Sequence, residues 1–169
     1  YELQTQRGIS RFFSDLSTPT LGLNGDYLGP TLLLRNGEDV SVSVANRLHE
    51  ATTLHWHGLH VPAVADGGPH QIIEPDTFWK PEFRVKDRAG TFWYHAHTLG
   101  KTGEQVYRGL AGMIIVDDGA NAGLAVPSRY GIDDIPLVIQ DRRFNPDGSC
   151  SYLASPMDTM AGFTGDTIL

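Results

Sequence analysis

Two short stretches constrain this chain more than any other: Thr53-Leu54-His55-Trp56-His57-Gly58 and Gly90-Thr91-Phe92-Trp93-Tyr94-His95-Ala96-His97. Each sets two histidines one residue apart among residue types that favour pleated sheet. In an extended strand successive side chains point to opposite faces, so His55 and His57 share one face, as do His95 and His97. Each pair is a two-pronged clamp for a metal ion. If the two strands are neighbours, four imidazoles converge, and neutral imidazole suits zinc, copper, iron and nickel. A single pair arises readily as a surface feature; two identical pairs beside large aromatics do not, and all four histidines are assigned as metal ligands. Trp56 and Trp93 are expected on the opposite face, packed behind the ligand strands. His49, His60 and His70 each stand alone in polar or turn-like settings and are read as surface residues or supports of the ligands.

Composition narrows the functional classes. A formal charge of −7, with no basic run and no basic stripe interleaved with aromatics, lacks the electrostatic footprint that nucleic-acid binding requires. No stretch approaches the ~20 apolar residues of a membrane-spanning helix. The single cysteine, Cys150, permits no internal disulfide. Its neighbours Gly148, Ser149 and Ser151 read as a turn, and no histidine flanks it as a copper thiolate site would need. The chain opens at Tyr1 without the basic and apolar regions of an export signal, which leaves its compartment open. Its 169 residues suffice for one core with a remainder.

Along the chain, Tyr1 to Phe13 alternates loosely, with Tyr1, Leu3 and Ile9 as the inward residues of a first strand. Ser14 to Pro19 is a polar break, and Asn24-Gly25 and Gly29-Pro30 are turn signals. A strand over Thr31 to Arg35 leads through Asn36-Gly37 to Val40, Val42 and Val44, which alternate with small residues as a half-buried strand does. The glycines and prolines after His57, through Pro62, Asp66-Gly67-Gly68-Pro69 and Pro75, predict a long loop of the kind that often carries function. Strand character resumes over Phe78 to Val85 and Thr91 to His97, a short helix is expected within Thr98 to Arg108, and Leu110 to Val116 is a closing strand. Seven or eight strands and almost no helix predict an antiparallel β-sandwich. Residues 120–134 read as a linker, Ile135 to Gln140 as one more strand, Pro146-Asp147-Gly148 as a turn, and the rest as loop until a strand begins at Ile168-Leu169. The chain is therefore expected to be a piece of a longer one: a first domain over 1–119, a linker over 120–134, and the start of an incomplete second domain over 135–169.

With both histidine pairs in place, the sequence resembles the amino-terminal cupredoxin domain of multicopper oxidases. The resemblance is carried, in the family's order, by Asn24-Gly25 with Gly29-Pro30, Thr53 to Gly58, Asp66-Gly67-Gly68-Pro69, Gly90 to His97, and Gly109-Leu110-Ala111-Gly112. Lys101-Thr102-Gly103 through Val106, Gly131 to Pro136, Gln140-Asp141 and Gly165-Asp166-Thr167 are similar to the bacterial periplasmic branch that includes copper-efflux cuprous oxidases and laccase-like members. The fold implied is all-β, a cupredoxin-like Greek-key β-sandwich followed by a linker and the start of a second cupredoxin domain.

The resemblance also implies a chemistry: one-electron oxidation of a phenolic or cuprous substrate coupled to reduction of dioxygen to water at a trinuclear copper cluster. His55 would serve the type 2 copper, and His57, His95 and His97 the type 3 pair. Asp66, in the loop after the first pair, would orient ligands or relay protons, although Asp commonly caps a Gly-Gly turn such as its own. The remaining ligands and the type 1 copper would come from a carboxy-terminal cupredoxin domain missing from this chain, whose one cysteine does not fit the type 1 segment. The 169-residue piece alone is accordingly expected to be inactive, and the family places such proteins in the periplasm or outside the cell. The alternative is a cupredoxin-like module that holds copper or zinc without turnover. Copper nitrite reductases fit less well, since they carry a type 1 site in the first domain; cell-division relatives that have lost the copper ligands also fit less well, since the ligands remain here. The three methionines, Met113, Met157 and Met160, form no methionine-rich tract.

Overall fold

The computed structural model describes residues 1–120 and 123–169; residues 121 and 122, within the segment expected to be a linker, lie outside the described residues. Strands form where apolar and polar residues alternate. β1 (Glu2–Phe13) and β2 (Leu16–Leu23) make an antiparallel hairpin. β3 (Leu32–Arg35) follows, and the valine series divides into β4 (Asp39–Ser41) and β5 (Ser43–Asn46). Next come β6 (His55–His57), β7 (Phe78–Trp79), β8 (Glu82–Arg84) and β9 (Gly90–His95). A short helix, α1 (Thr102–Tyr107), leads into β10 (Ala111–Asp117).

Two four-stranded sheets result, one in the order β2-β1-β5-β7 and the other β3-β10-β9-β6. β1 runs parallel to β5 and β3 parallel to β10, whereas the other pairs are antiparallel. A parallel pair cannot be closed by a tight turn, so these connections cross between the sheets, which is the expected cupredoxin-like Greek-key sandwich. The ten strands up to Asp117 exceed the seven or eight expected because two runs are each cut in two. Val42 separates β4, which pairs with β8, from β5, which pairs with β1 and β7, so one apolar run serves two sheets. Between the layers Val42, Val44, Leu54, Trp56, Tyr94 and Ile114 are all but fully buried. Side chains of this size contribute about 1.5–3 kcal/mol each on burial.

Outside the two histidine segments, local pattern and structure part company at four places. Of the residues expected inward on the first strand only Leu3 is buried; Tyr1 and Ile9 are exposed. β5 accompanies β1 only over Glu2 to Thr5. Beyond it the even-numbered residues become the half-buried ones: Ser10 hydrogen-bonds Thr20 at 3.2 Å, and Phe12 meets Tyr27 edge-on at 5.0 Å. Second, the break expected over Ser14 to Pro19 shrinks to Ser14 and Asp15, and Pro19 lies inside β2. The N–H groups of Leu21 and Leu23 point away from β1, to the carbonyls of Arg108 and Leu28 at 2.8 and 2.7 Å. Pro19 has the same parity, so its ring removes a donor only from the sheet edge.

Third, Ile135 to Gln140 forms no strand; Ile135, Leu137 and Ile139 are exposed, and no neighbouring strand among the described residues offers them a ladder. The short β11 (Asp141–Arg142) pairs instead with β12 (Thr167–Ile168). Fourth, the expected loop contains a second helix, α2 (Pro156–Ala161), set by a capping box: Ser155 accepts from the Asp158 N–H while the Asp158 carboxylate accepts from the Ser155 N–H, with proline at the first helical position. This tail leans on the sandwich. The Tyr107 hydroxyl accepts from the Arg143 N–H at 2.7 Å and donates to the Ser151 carbonyl at 3.1 Å, and the Thr18 hydroxyl donates to the Gly148 carbonyl at 2.6 Å.

Candidate metal centre

β6 pairs with β9 in the register His55↔His95, Trp56↔Tyr94 and His57↔Trp93. Because side chains alternate, this one register fixes both faces. Trp56 and Tyr94 go into the core, fully buried, and His55, His57, Trp93 and His95 share the other side. Trp93 therefore corrects the expectation made for it. It has the parity of His95, stacks on that ring with centroids 4.1 Å apart and lies 5.0 Å from the His57 ring. The aromatic behind the second pair is Tyr94, whose hydroxyl donates to the Pro30 carbonyl at 2.7 Å.

The four imidazoles converge. Ring centroids are 5.7 Å apart for His55 and His57, 5.4 Å for His55 and His95, and 5.3 Å for His55 and His97. Ligand atoms of His55, His57 and His95 all lie within 4.8 Å of one another. Metal–nitrogen bonds near 2 Å put two ligands of one ion at most ~4 Å apart. His57 Nδ1 and His95 Nε2, at 3.1 Å, are close enough for a single ion, and the wider spread of the set suits more than one. His97 lies past the end of β9, not within the strand as its sequence context suggests, and its Nδ1 is buried without a hydrogen-bond partner.

The surroundings suit nitrogen ligands. His55 Nδ1 lies 2.8 Å from the Asp66 carbonyl and His95 Nδ1 2.8 Å from the Ala96 carbonyl. A carbonyl only accepts, so both rings carry their proton on Nδ1 and keep Nε2 as the lone-pair nitrogen, that of His95 facing His57 Nδ1 at 3.1 Å; this is the arrangement that outer partners impose on metal-binding histidines. Burial pushes the His95 pKa down to about 4; the Ala96 carbonyl opposes this, and the neighbouring imidazoles of His55, His57 and His97 add to it. His95 is thus neutral, the form a metal takes, through the physiological range. These features fit the residues to a metal cluster.

The loop expected after the first pair backs β6. It contains a single 3₁₀ turn, Ala63–Ala65. The Trp56 indole donates to the Ala65 carbonyl at 2.9 Å, and the Trp56 N–H points at the Asp66 carbonyl, 3.4 Å away. Gly67 closes this contact with φ +74°; a Cβ there would stand 1.7 Å from the Leu54 carbonyl oxygen, so only glycine fits. The Asp66 carboxylate does not cap its turn: the Gly68 N–H goes to Gln71 Oε1 at 2.9 Å, while Asp66 Oδ1 lies 3.4 Å from His55 Nδ1.

Of the other histidines, His60 is held by Asp87, Nδ1 to Oδ1 at 2.6 Å, and His49 and His70 are exposed; none joins the cluster. Cys150 is half-buried and sits on a bridge to Phe144. Sequence reasoning missed a polar group beneath the centre: Thr52, Thr53, Thr98 and Gln105 are buried and hydrogen-bonded around both histidine segments. The threonines adjoin the histidine pairs in sequence and could have been suspected; nothing marks a glutamine of a short helix as buried.

A family model described as multicopper oxidase matches residues 5–121. Among curated proteins the chain is 40% identical over 169 residues to a multicopper oxidase of Staphylococcus aureus, covering 100% of this chain and 37% of that protein. It is 41% identical over 164 residues to cell division protein FtsP of Salmonella typhimurium, covering 97% and 34%. Among solved structures it is similar to a bacterial laccase-like multicopper oxidase, CueO, from Ochrobactrum sp., with a TM-score of 0.93 and 45% identity over 99% of this chain and 38% of that one. The chain spans little more than a third of the length of these relatives. Identity does not separate the oxidase from the cell division protein, so the chemistry must be argued from the histidine cluster.

Proposed function

The chain belongs to the multicopper oxidase family, and from that premise we propose that it is the amino-terminal part of an oxidase that couples one-electron oxidation of a substrate to reduction of dioxygen to water. The observation that carries the reading is the convergence of four imidazoles, with carbonyl acceptors that hold the Nδ1 protons of His55 and His95 and keep Nε2 of each ring as the ligand nitrogen. His55 serves the type 2 copper, and His57, His95 and His97 the type 3 pair. Copper, the metal the family implies, supplies the one-electron redox capacity that imidazole lacks.

The residues of this chain hold and orient. The Asp66 and Ala96 carbonyls fix two rings, Trp56 and Tyr94 anchor the ligand strands from the core, and the Asp66 carboxylate can hold and release a proton beside His55. The other half of the ligands and the type 1 site belong to a carboxy-terminal cupredoxin domain. Residues 1–119 are the first domain, 120–134 a linker, and 135–169 the start of the second; the self-pairing of β11 with β12 supports that division. The reductant is a phenol or cuprous ion, and the protein works in the periplasm or outside the cell.

Copper(II) titration followed by electron paramagnetic resonance tests the ligand assignment. Replacing both His55 and His57 by Ala should abolish most binding, and replacing His49 and His60 should leave it nearly intact. The opposite pattern would reject the assignment. The 169-residue chain alone should consume no dioxygen with a phenolic reductant; turnover at enzyme-like rates would overturn the half-site reading. Tight zinc binding together with failure to bind copper would favour a module without turnover.

A further inference from the structure

Gln105, on α1, is 1% exposed, and every polar atom of its amide is used. Its Oε1 accepts from the Thr52 and Thr98 hydroxyls at 3.0 and 2.9 Å, and its Nε2 donates to the Ala51 carbonyl at 2.9 Å. One amide thus ties the residues leading into the first histidine pair to the residue that follows the second. Its backbone extends the tie. The Gln105 carbonyl accepts from the Leu110 N–H at 3.0 Å, and the Leu110 carbonyl accepts from the Ala96 N–H at 3.0 Å.

His97 needs such support. The ladder between β9 and β10 ends at the pair His95 and Ala111, and the His97 N–H donates not to a strand but to the Thr53 hydroxyl at 2.8 Å. His97 is therefore placed by side chains: by Thr53 directly, and by the Thr98 hydroxyl through Gln105. Burying an amide costs free energy unless each of its hydrogen bonds is made, and an apolar residue of similar volume would fill the same space. An amide whose oxygen and nitrogen are both engaged between two ligand segments fits orientation better than filling.

We propose that Gln105 is a positioning residue for the His97 arm of the metal centre, a role that rests on the four-histidine reading above. Gln105→Met keeps the volume and removes the amide. In the metal-free protein, amide hydrogen exchange at His97 and Thr98 should speed up by about tenfold or more, while Trp56 and Tyr94 keep their protection. Copper affinity should fall about tenfold, within the range typical of outer partners of a ligand. In a His97→Ala background the same substitution should change affinity less than about twofold, because the arm it positions is gone. Equal loss of affinity in both backgrounds, uniform loss of protection across the core, or unchanged exchange at His97 would each overturn the proposal. Should Gln105→Met fail to fold, Thr98→Val removes one donor of the same group and carries the same comparisons. If the parent chain bound no copper the four-histidine reading would fall, and the metal-free exchange measurement would still decide whether Gln105 places His97.

Discussion

Single residues carry more of this centre than their size suggests. Gly67 and Gly100 both adopt φ +74°, but a Cβ at Gly67 would meet the Leu54 carbonyl at 1.7 Å whereas one at Gly100 meets nothing within 4 Å. Gly100→Ala should cost only the left-handed strain, about 1 kcal/mol, and Gly67→Ala about 3 kcal/mol or more, with weaker copper binding as the Asp66 carbonyl is pushed off His55. Urea unfolding of the two variants checks the difference; equal losses would refute the clash. His95 sets a pH dependence. Its pKa is about 4 in the fold against 6.5 for a free imidazole, so the unfolded chain takes up a proton that the fold refuses. Metal-free stability should be unaffected by this group above about pH 6.5 and fall as pH drops from there toward 4. The lowered carboxylates Asp118, Asp133, Asp147 and Asp158 act mainly below their free value of 3.8, outside that window. Unfolding measured with chelator across this range should show the slope, and His95→Gln should flatten it.

At the scale of elements, β6 has three residues and cannot stand by its own ladder; the indole in its middle and the loop behind it hold it in place. Trp56→Ala should lose ~3–5 kcal/mol, at the upper end for core truncations, and splay His55 from His57. Calorimetry together with copper titration reads both effects. In α2 the cap matters instead: Ser155→Ala should cost about 1 kcal/mol and leave the metal centre untouched, since the helix lies outside it. That cap is legible in the sequence as Ser-Pro-x-Asp, but the residues around it carry the composition of a loop. The expected strand at 135–140 failed for the converse reason. Its apolar residues satisfy a strand pattern, but a strand forms only where a neighbour supplies hydrogen bonds.

For the molecule as a whole, the tail is held by the sandwich through Tyr107, Thr18 and Tyr27, the last donating to Gln140 Oε1 at 2.9 Å. Removing residues 135–169 would strip partners from these groups and should lower the melting temperature by ~5 °C or more, while the histidine cluster still binds copper. A truncated chain as stable as the parent would show that these contacts contribute nothing. What the sequence by itself determined is whatever depends on neighbours along the chain. Alternation placed the valine strand and paired His55 with His57, glycine and asparagine marked the turns at Asn24 and Gly37, and proline and glycine density marked the loop behind β6. Tertiary structure alone decided which strand lies beside which. The register of β6 on β9 set His55 opposite His95, brought Trp93 to the ligand side, and left His97 past the ladder to be held by threonines and a buried glutamine. The physical reason is that strand periodicity and backbone dihedrals are local properties, whereas burial and hydrogen-bond partners are supplied by residues far away in the chain.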